Sequence, residues 1–215
     1  MARNRRPDVE GSGTPEAAAG HSRRVVSVNV GRARDWPWEH RVVRTAFLKV
    51  PQAGPVGLGA GGFAGDECAD RSVHGGPTKT VYAYPSEHYA FWRRELGVRR
   101  LPWGSFGENL TTAGLLEGDV APGDRLATPT ATLAVTRPRF PCVKLNVRFG
   151  RPEMMERFLA AERSGFYLSV VRPGSVGAGD PIDLQRGARP ADSIAEIYRR
   201  RNASERGVGS SGLRA

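Results

Sequence analysis

The chain has only two cysteines, Cys68 and Cys142. They lie in dissimilar surroundings and form no CxxC pair, so neither a zinc cage nor a disulfide framework is suggested, and a reducing compartment fits. Lysine is nearly as scarce: Lys49, Lys79 and Lys144 are three of 32 basic residues. The arginine, alanine and glycine bias follows genome composition as readily as function. No run approaches the roughly 18 apolar residues of a membrane span. The first residues, Met1 to Arg6, lead into Gly, Ser, Pro and Ala rather than a signal-peptide hydrophobic stretch. A cytoplasmic protein with no membrane partner is the expectation. The glycines of 57–65 do not form a phosphate loop, because no Gly-x-x-x-x-Gly-Lys-Ser/Thr is present and no crossover helix follows.

The net charge of +10 invites a nucleic-acid reading, but its placement weakens it. Residues 1–24 carry five Arg against three acids, and 186–215 carry seven Arg against three acids, so the excess sits mostly at the ends. Arg199-Arg200-Arg201 has no recognition helix, aromatic RNA-binding signature or zinc finger around it. Solvated basic tails, with no specific nucleic-acid partner, are expected.

A length of 215 residues suits one domain with tails. Residues 1–22 are polar and rich in Gly, Ser, Pro and Ala, which predicts a disordered basic tail. A folded domain is expected over 24–186, then a short C-terminal helix and flexible tail over 187–215. Strands are predicted at 24–30, 42–50, 80–83, 107–112, 126–127, 132–135, 165–171 and 181–184, with a turn over 51–55 and a loop over 57–65. Ser86 as cap, Glu87 in the first turn and Gly97 as stop bracket a helix that places Tyr89, Trp92 and Leu96 on one apolar face. A second helix is predicted over 152–162, with Met154, Met155, Phe158 and Leu159 on its apolar side. Many short strands and few helices predict a mainly β, barrel-like domain with a few flanking helices.

The strongest chemical signal is Cys142. Leu133 to Thr136 reads as a strand that runs into Arg137-Pro138-Arg139-Phe140-Pro141-Cys142-Val143-Lys144-Leu145, where two prolines stop regular structure before the thiol. Arg137, Arg139 and Lys144 surround it, and neighbouring cations favour the thiolate, the form that attacks electrophiles and binds soft metals. Metal ligand, nucleophile and buried structural cysteine all remain open on this context alone. Two loops offer partners. Asp66 to Lys79 places carboxylates, His74 and Lys79 around a Gly-Gly turn, and Phe106-Gly107-Glu108-Asn109-Leu110 offers a carboxylate and an amide beside a glycine. Taken singly, His74 reads equally as a ring tying its loop together, Asn109 as a turn side chain, and Glu108 as a salt-bridged or solvated group.

These blocks carry a resemblance. Gly65 to Asp70, His74-Gly75-Gly76, Lys79, Tyr84-Pro85, His88-Tyr89, Trp92, Phe106 to Leu110, Gly123-Asp124-Arg125, Pro138 to Leu145 and Gly165 to Leu168 stand in an order that resembles the MOSC domain, in its YiiM-like branch, over about residues 25–185. The resemblance implies a β-barrel-like fold that binds the molybdenum cofactor, with Cys142 as the protein ligand to molybdenum. It also carries pyridoxal phosphate binding as a family-level description. Proteins of this kind reduce N-hydroxylated compounds, such as hydroxylaminopurine-type bases and amidoximes, to amines or amidines. On that footing Arg139, Lys49 and Lys79 are expected to offset the anionic cofactor, Asn109 to orient pterin or substrate, and His74 to deliver a proton. No flavin, haem or iron–sulfur motif is present, so separate electron-donor proteins are implied; an oligomer is compatible with the sequence. YiiM-like proteins commonly end in a small three-helix domain, of which 190–201 resembles only the first helix. Two other readings stay open: persulfide transfer through Cys142, and cofactor carriage without turnover.

Overall fold

Alternating β-branched residues form β1 (Arg24–Val30), where predicted, with Val25 and Val28 buried. The computed structural model describes residues 22–67, 76, 78–188 and 192–211, with side chains described through 204. The single strand expected over 42–50 is instead broken. A ribbon of β2 (Arg34–Trp38) and β3 (Arg41–Thr45) turns at Glu39, whose φ is 52°, and pairs Trp36 with Val43. The chain then bends because the Thr45 hydroxyl accepts the Phe47 N–H at 3.0 Å, before β4 (Val50–Pro51) rejoins β1. The predicted glycine loop is a small hairpin, β5 (Val56–Gly59) with β6 (Gly62–Phe63), because Leu58 and Phe63 point into the core between glycines.

The remaining elements follow in order: β7 (Val81–Pro85), α1 (His88–Leu96), β8 (Leu110–Ala113), β9 (Arg125–Ala127), β10 (Thr132–Pro138), α2 (Lys144–Phe149), α3 (Met154–Ala161), β11 (Phe166–Arg172), β12 (Gly174–Val176), β13 (Asp183–Gln185) and α4 (Ile194–Ser211). Helix α1 buries Tyr89, Trp92 and Leu96 as predicted, each worth roughly 1.5–3 kcal/mol. Gly97, at φ 67°, stops it by donating its N–H to the Arg93 and Arg94 carbonyls. Ser86 does not cap this helix; its hydroxyl turns to Glu87. In α3, Met154 and Phe158 are buried while Met155 and Leu159 are only half-buried.

One sheet dominates, in the order β13, β9, β10, β11, β7, β8, β1, β4, antiparallel except for the parallel pair β7 and β8. The ladder does not close through hydrogen-bonded named strands, yet its ends meet. Arg24 on β1 bridges Pro181, and Val25 N–H bonds the Asp180 carbonyl at 2.9 Å, just before β13. The curled sheet encloses an aliphatic core including Val28, Leu110, Leu133, Leu168 and Ile194. A second, aromatic core of Tyr82, Tyr84, Tyr89, Trp92, Phe106 and Phe158 lies between β7, α1 and α3. Helix α4 starts with a capping box: Glu196 accepts the Ser193 N–H at 2.7 Å, and Ser193 Oγ accepts the Glu196 N–H at 3.3 Å. It runs to Ser211, through residues predicted as a flexible Gly/Ser tail.

Candidate functional site

Cys142 stands at a strand-to-helix junction. The β10–β11 ladder reaches Pro138 opposite Phe166, and the Arg139 N–H then meets the Gly165 carbonyl at 3.4 Å. Pro141 has no N–H to extend the ladder. The Cys142 carbonyl accepts the Leu145 N–H at 3.0 Å, which opens α2, a helix not anticipated from sequence. The thiol is free and half-buried.

Three residues upstream, Arg139 is 3% exposed and enclosed by rings. Its guanidinium carbon lies 5.1 Å from the Tyr82 centroid and 5.3 Å from those of Phe47 and Phe158, and it hydrogen-bonds the Tyr167 side chain. Burial opposes the charge, but the neighbouring Tyr82, Cys142 and Tyr167 groups outweigh it and raise its pKa further. Burial likewise raises Tyr167, against the pull of Arg139. Among the described residues no carboxylate pairs with Arg139, and its buried Nη1 has no hydrogen-bond partner.

The ring of Phe47 rests against Gly107 and so ties Arg139 to the Gly107-Glu108-Asn109 segment. The Asn109 amide bridges three segments: Oδ1 accepts the Tyr82 N–H at 3.1 Å, and Nδ2 donates to the Asn29 carbonyl at 3.3 Å and to Asp66 Oδ2 at 2.8 Å. Both amide hydrogens are thus committed within the protein, and Asn109 ties Asn29, Asp66 and Tyr82 together. Lys49 forms an ion pair with Asp66, whose same oxygen accepts the Gly31 N–H at 2.8 Å. This cation is therefore matched by a carboxylate, unlike Arg139. Lys79 is half-buried just before β7, its N–H on the Gly76 carbonyl at 3.0 Å. The Thr78 carbonyl accepts the Thr136 hydroxyl of β10 at 2.7 Å, which brings the segment bearing Lys79 beside the strand that leads to Arg139. His74 and Cys68 lie outside the described residues.

Glu108, read from sequence as salt-bridged or solvated, is fully buried. It accepts the Tyr89 hydroxyl, the Gly104 N–H at 2.8 Å, the Phe106 N–H at 3.0 Å and the Thr111 hydroxyl at 3.0 Å. Burial raises its pKa against these donors. The sequence reading also missed a buried pair, His88 and Glu117, joined by the half-buried Arg163. His88 Nε2 is 2.8 Å from Glu117 Oε2, and Arg163 Nη1 is 3.0 Å from His88 Nδ1. Arginine only donates, so Nδ1 accepts and the ring hydrogen sits on Nε2, facing Glu117. Glu117 also accepts the Gly165 N–H at 2.6 Å, fixing the residue whose carbonyl meets Arg139. The alternating polar and aromatic run Tyr84-Pro85-Ser86-Glu87-His88-Tyr89 was the available signal, but its partner at 117 is remote in sequence.

Among the described residues no cluster of three or more His, Cys, Asp or Glu could hold a metal ion. None of the described helices is long and apolar enough to cross a membrane.

Known proteins resemble this chain in sequence and fold. A family model for the MOSC domain matches residues 70–183. The chain is 40% identical over 160 residues to an uncharacterized protein, YflK, of Bacillus subtilis, covering 74% of this chain and 72% of that protein. It is 35% identical over 161 residues to a protein of Gibberella moniliformis named a reductase, covering 73% of this chain but 28% of that longer protein. The crystal structure of YiiM from Geobacillus stearothermophilus superposes with a TM-score of 0.69 at 34% identity, covering 85% of each chain. With the sequence blocks, the curled mixed sheet and these relatives in agreement, the chain belongs to the MOSC domain family.

Proposed function

We propose that this protein binds the molybdenum cofactor through Cys142 and reduces N-hydroxylated compounds of the hydroxylaminopurine or amidoxime type. The observation that carries the reading is Arg139: a buried cation that, among the described residues, has no carboxylate partner and leaves Nη1 unsatisfied, three residues from a free, half-buried thiol. Leaving a charged donor unmatched in a buried site is costly unless an anion supplies the missing partner. The residues fit the group. A thiolate is a soft donor suited to molybdenum, and a guanidinium suits a phosphate. The relative named a reductase supports the reaction class.

When bound, the cofactor supplies the two-electron redox chemistry. Cys142 provides the protein ligand and Arg139 the counter-charge, while Lys49, Asp66 and Asn109 fasten the near end of the segment that contains His74. Net reduction breaks the N–O bond, forms N–H and releases water, consuming two electrons and two protons. His74 is the proposed proton donor to the departing oxygen. Lys79 adds positive charge beside the site. Electrons come from separate donor proteins in the cytoplasm.

The test is turnover. Protein produced in a host that makes the cofactor, supplied with a reduced viologen as artificial donor, should convert an amidoxime to the amidine and 6-hydroxylaminopurine to adenine. Cofactor-loaded protein that turns over neither compound would contradict the reductase reading and favour cofactor carriage.

A further inference from the structure

Helix α4 reaches across the fold to the residue two before Cys142. Its first turn is tethered: Ile194 is buried in the aliphatic core, and its N–H bonds the Val120 carbonyl at 2.8 Å. Farther along, Asn202 Nδ2 donates to the Leu159 carbonyl of α3 at 3.2 Å. Between these anchors, the buried ring of Tyr198 stacks on Phe140, with centroids 4.8 Å apart and planes 18° from parallel. The guanidinium carbon of Arg201 lies 4.2 Å from the centroid of the same ring.

Among the described residues, the backbone around Phe140 makes few hydrogen bonds. Pro138 and Pro141 have no N–H, and the Arg139 N–H contact to Gly165 is long at 3.4 Å. Only Pro141 separates Phe140 from Cys142, and its fixed φ narrows how far one can move without the other. We propose that Tyr198 and Arg201 are positioning residues for the Cys142 thiol, acting through Phe140. The C-terminal helix thereby sets the exposure of the sulfur. The effect on thiol position stands on this geometry alone, whereas its consequence for the cofactor rests on Cys142 being the molybdenum ligand.

The experiment uses the full chain carrying Cys68→Ser, so that one thiol remains, and follows its reaction with an aromatic disulfide reagent in cofactor-free protein. Ring stacking and cation–π contacts hold down local opening enough that Arg201→Ala and Tyr198→Ala should each speed the reaction by roughly tenfold. Tyr198→Phe keeps the ring and should restore the parent rate. Arg201 is exposed, so its replacement does not threaten folding even where Tyr198→Ala does. An unchanged rate in folded Arg201→Ala protein would overturn the proposal, as would equal acceleration by Tyr198→Phe and Tyr198→Ala. In a cofactor-producing host the two alanine variants should also retain less molybdenum. Molybdenum content unaffected by Cys142→Ser would instead overturn the ligand assignment and leave the reactivity result standing.

Discussion

The ring of Phe47 stands where a side chain on Gly107 would have to go: a Cβ there would lie 2.5 Å from Phe47 Cε2. Gly107 also has a φ of 78°, a left-handed backbone that disfavours other residues. Gly107→Ala should therefore cost about 2–4 kcal/mol, combining the left-handed penalty with overpacking. Because Phe47 is one wall of the Arg139 enclosure, cofactor retention should fall as well. Urea unfolding of the variant checks the first effect; wild-type stability would show that the ring moves aside freely.

Arg139 gives a prediction of opposite character. Methionine fills a three-ring enclosure without charge, and removing a buried cation that no described carboxylate matches relieves its desolvation cost. Arg139→Met should leave the melting temperature of cofactor-free protein unchanged or higher, while cofactor retention drops by about tenfold or more through loss of a charge-assisted contact. A large fall in melting temperature with retention intact would make Arg139 a structural residue.

Acid stability should depend on Glu117. Burial alone would raise this carboxyl, but hydrogen bonds from His88 and the Gly165 N–H outweigh it and hold the carboxyl below its ordinary value of 4.5. A carboxyl lowered in the folded state binds fewer protons there than in the unfolded chain. Its stabilisation is therefore complete above about pH 4.5 and lost as pH falls through the lower folded value. Glu108 acts in the opposite sense, because its raised value favours the folded state as pH falls. Glu117→Gln should cost roughly 2 kcal/mol at neutral pH, the scale of hydrogen bonds to a charged group, and flatten the acid limb of the stability profile. An acid limb as steep in Glu117→Gln as in the parent would assign the acid sensitivity elsewhere.

His74 is testable by kinetics. If it delivers the proton to the departing oxygen, His74→Gln should lower kcat by about 100-fold and flatten the pH–rate profile between about pH 5 and 8, with cofactor content near normal. Loss of cofactor would reassign it to binding or loop architecture. Full turnover with an unchanged profile would remove it from the reaction.

Local pattern made much of the framework legible. The β-branched run at 24–30 and the Gly97 stop announce themselves within a few residues, and β1 and the end of α1 fall where predicted. The β2–β3 ribbon was not legible, because Pro37 and the arginines hide its alternation. Helix α2 was hidden behind Pro138 and Pro141, and at six residues it is too short to show a period. The site divides the same way. Cys142 and Arg139 belong to one short motif, so a local reading singles them out together. The bonds of Asn109 to Asn29, Tyr82 and Asp66 join positions far apart in sequence and are not legible from its local motif. Glu108 and the His88–Glu117 pair were misjudged or missed for the same reason: burial and remote partners are properties of the folded chain.

The most direct measurement is the molybdenum and pterin content, per protein, of the parent, Cys68→Ser and Cys142→Ser chains purified from a cofactor-synthesising host. Exchange of sulfur for oxygen is nearly isosteric, so all three should fold alike, and only the Cys142→Ser chain should lose molybdenum, because only there is the soft ligand removed. Equal molybdenum in all three chains, or its loss in the Cys68→Ser chain alone, would contradict the assignment of Cys142 as the ligand.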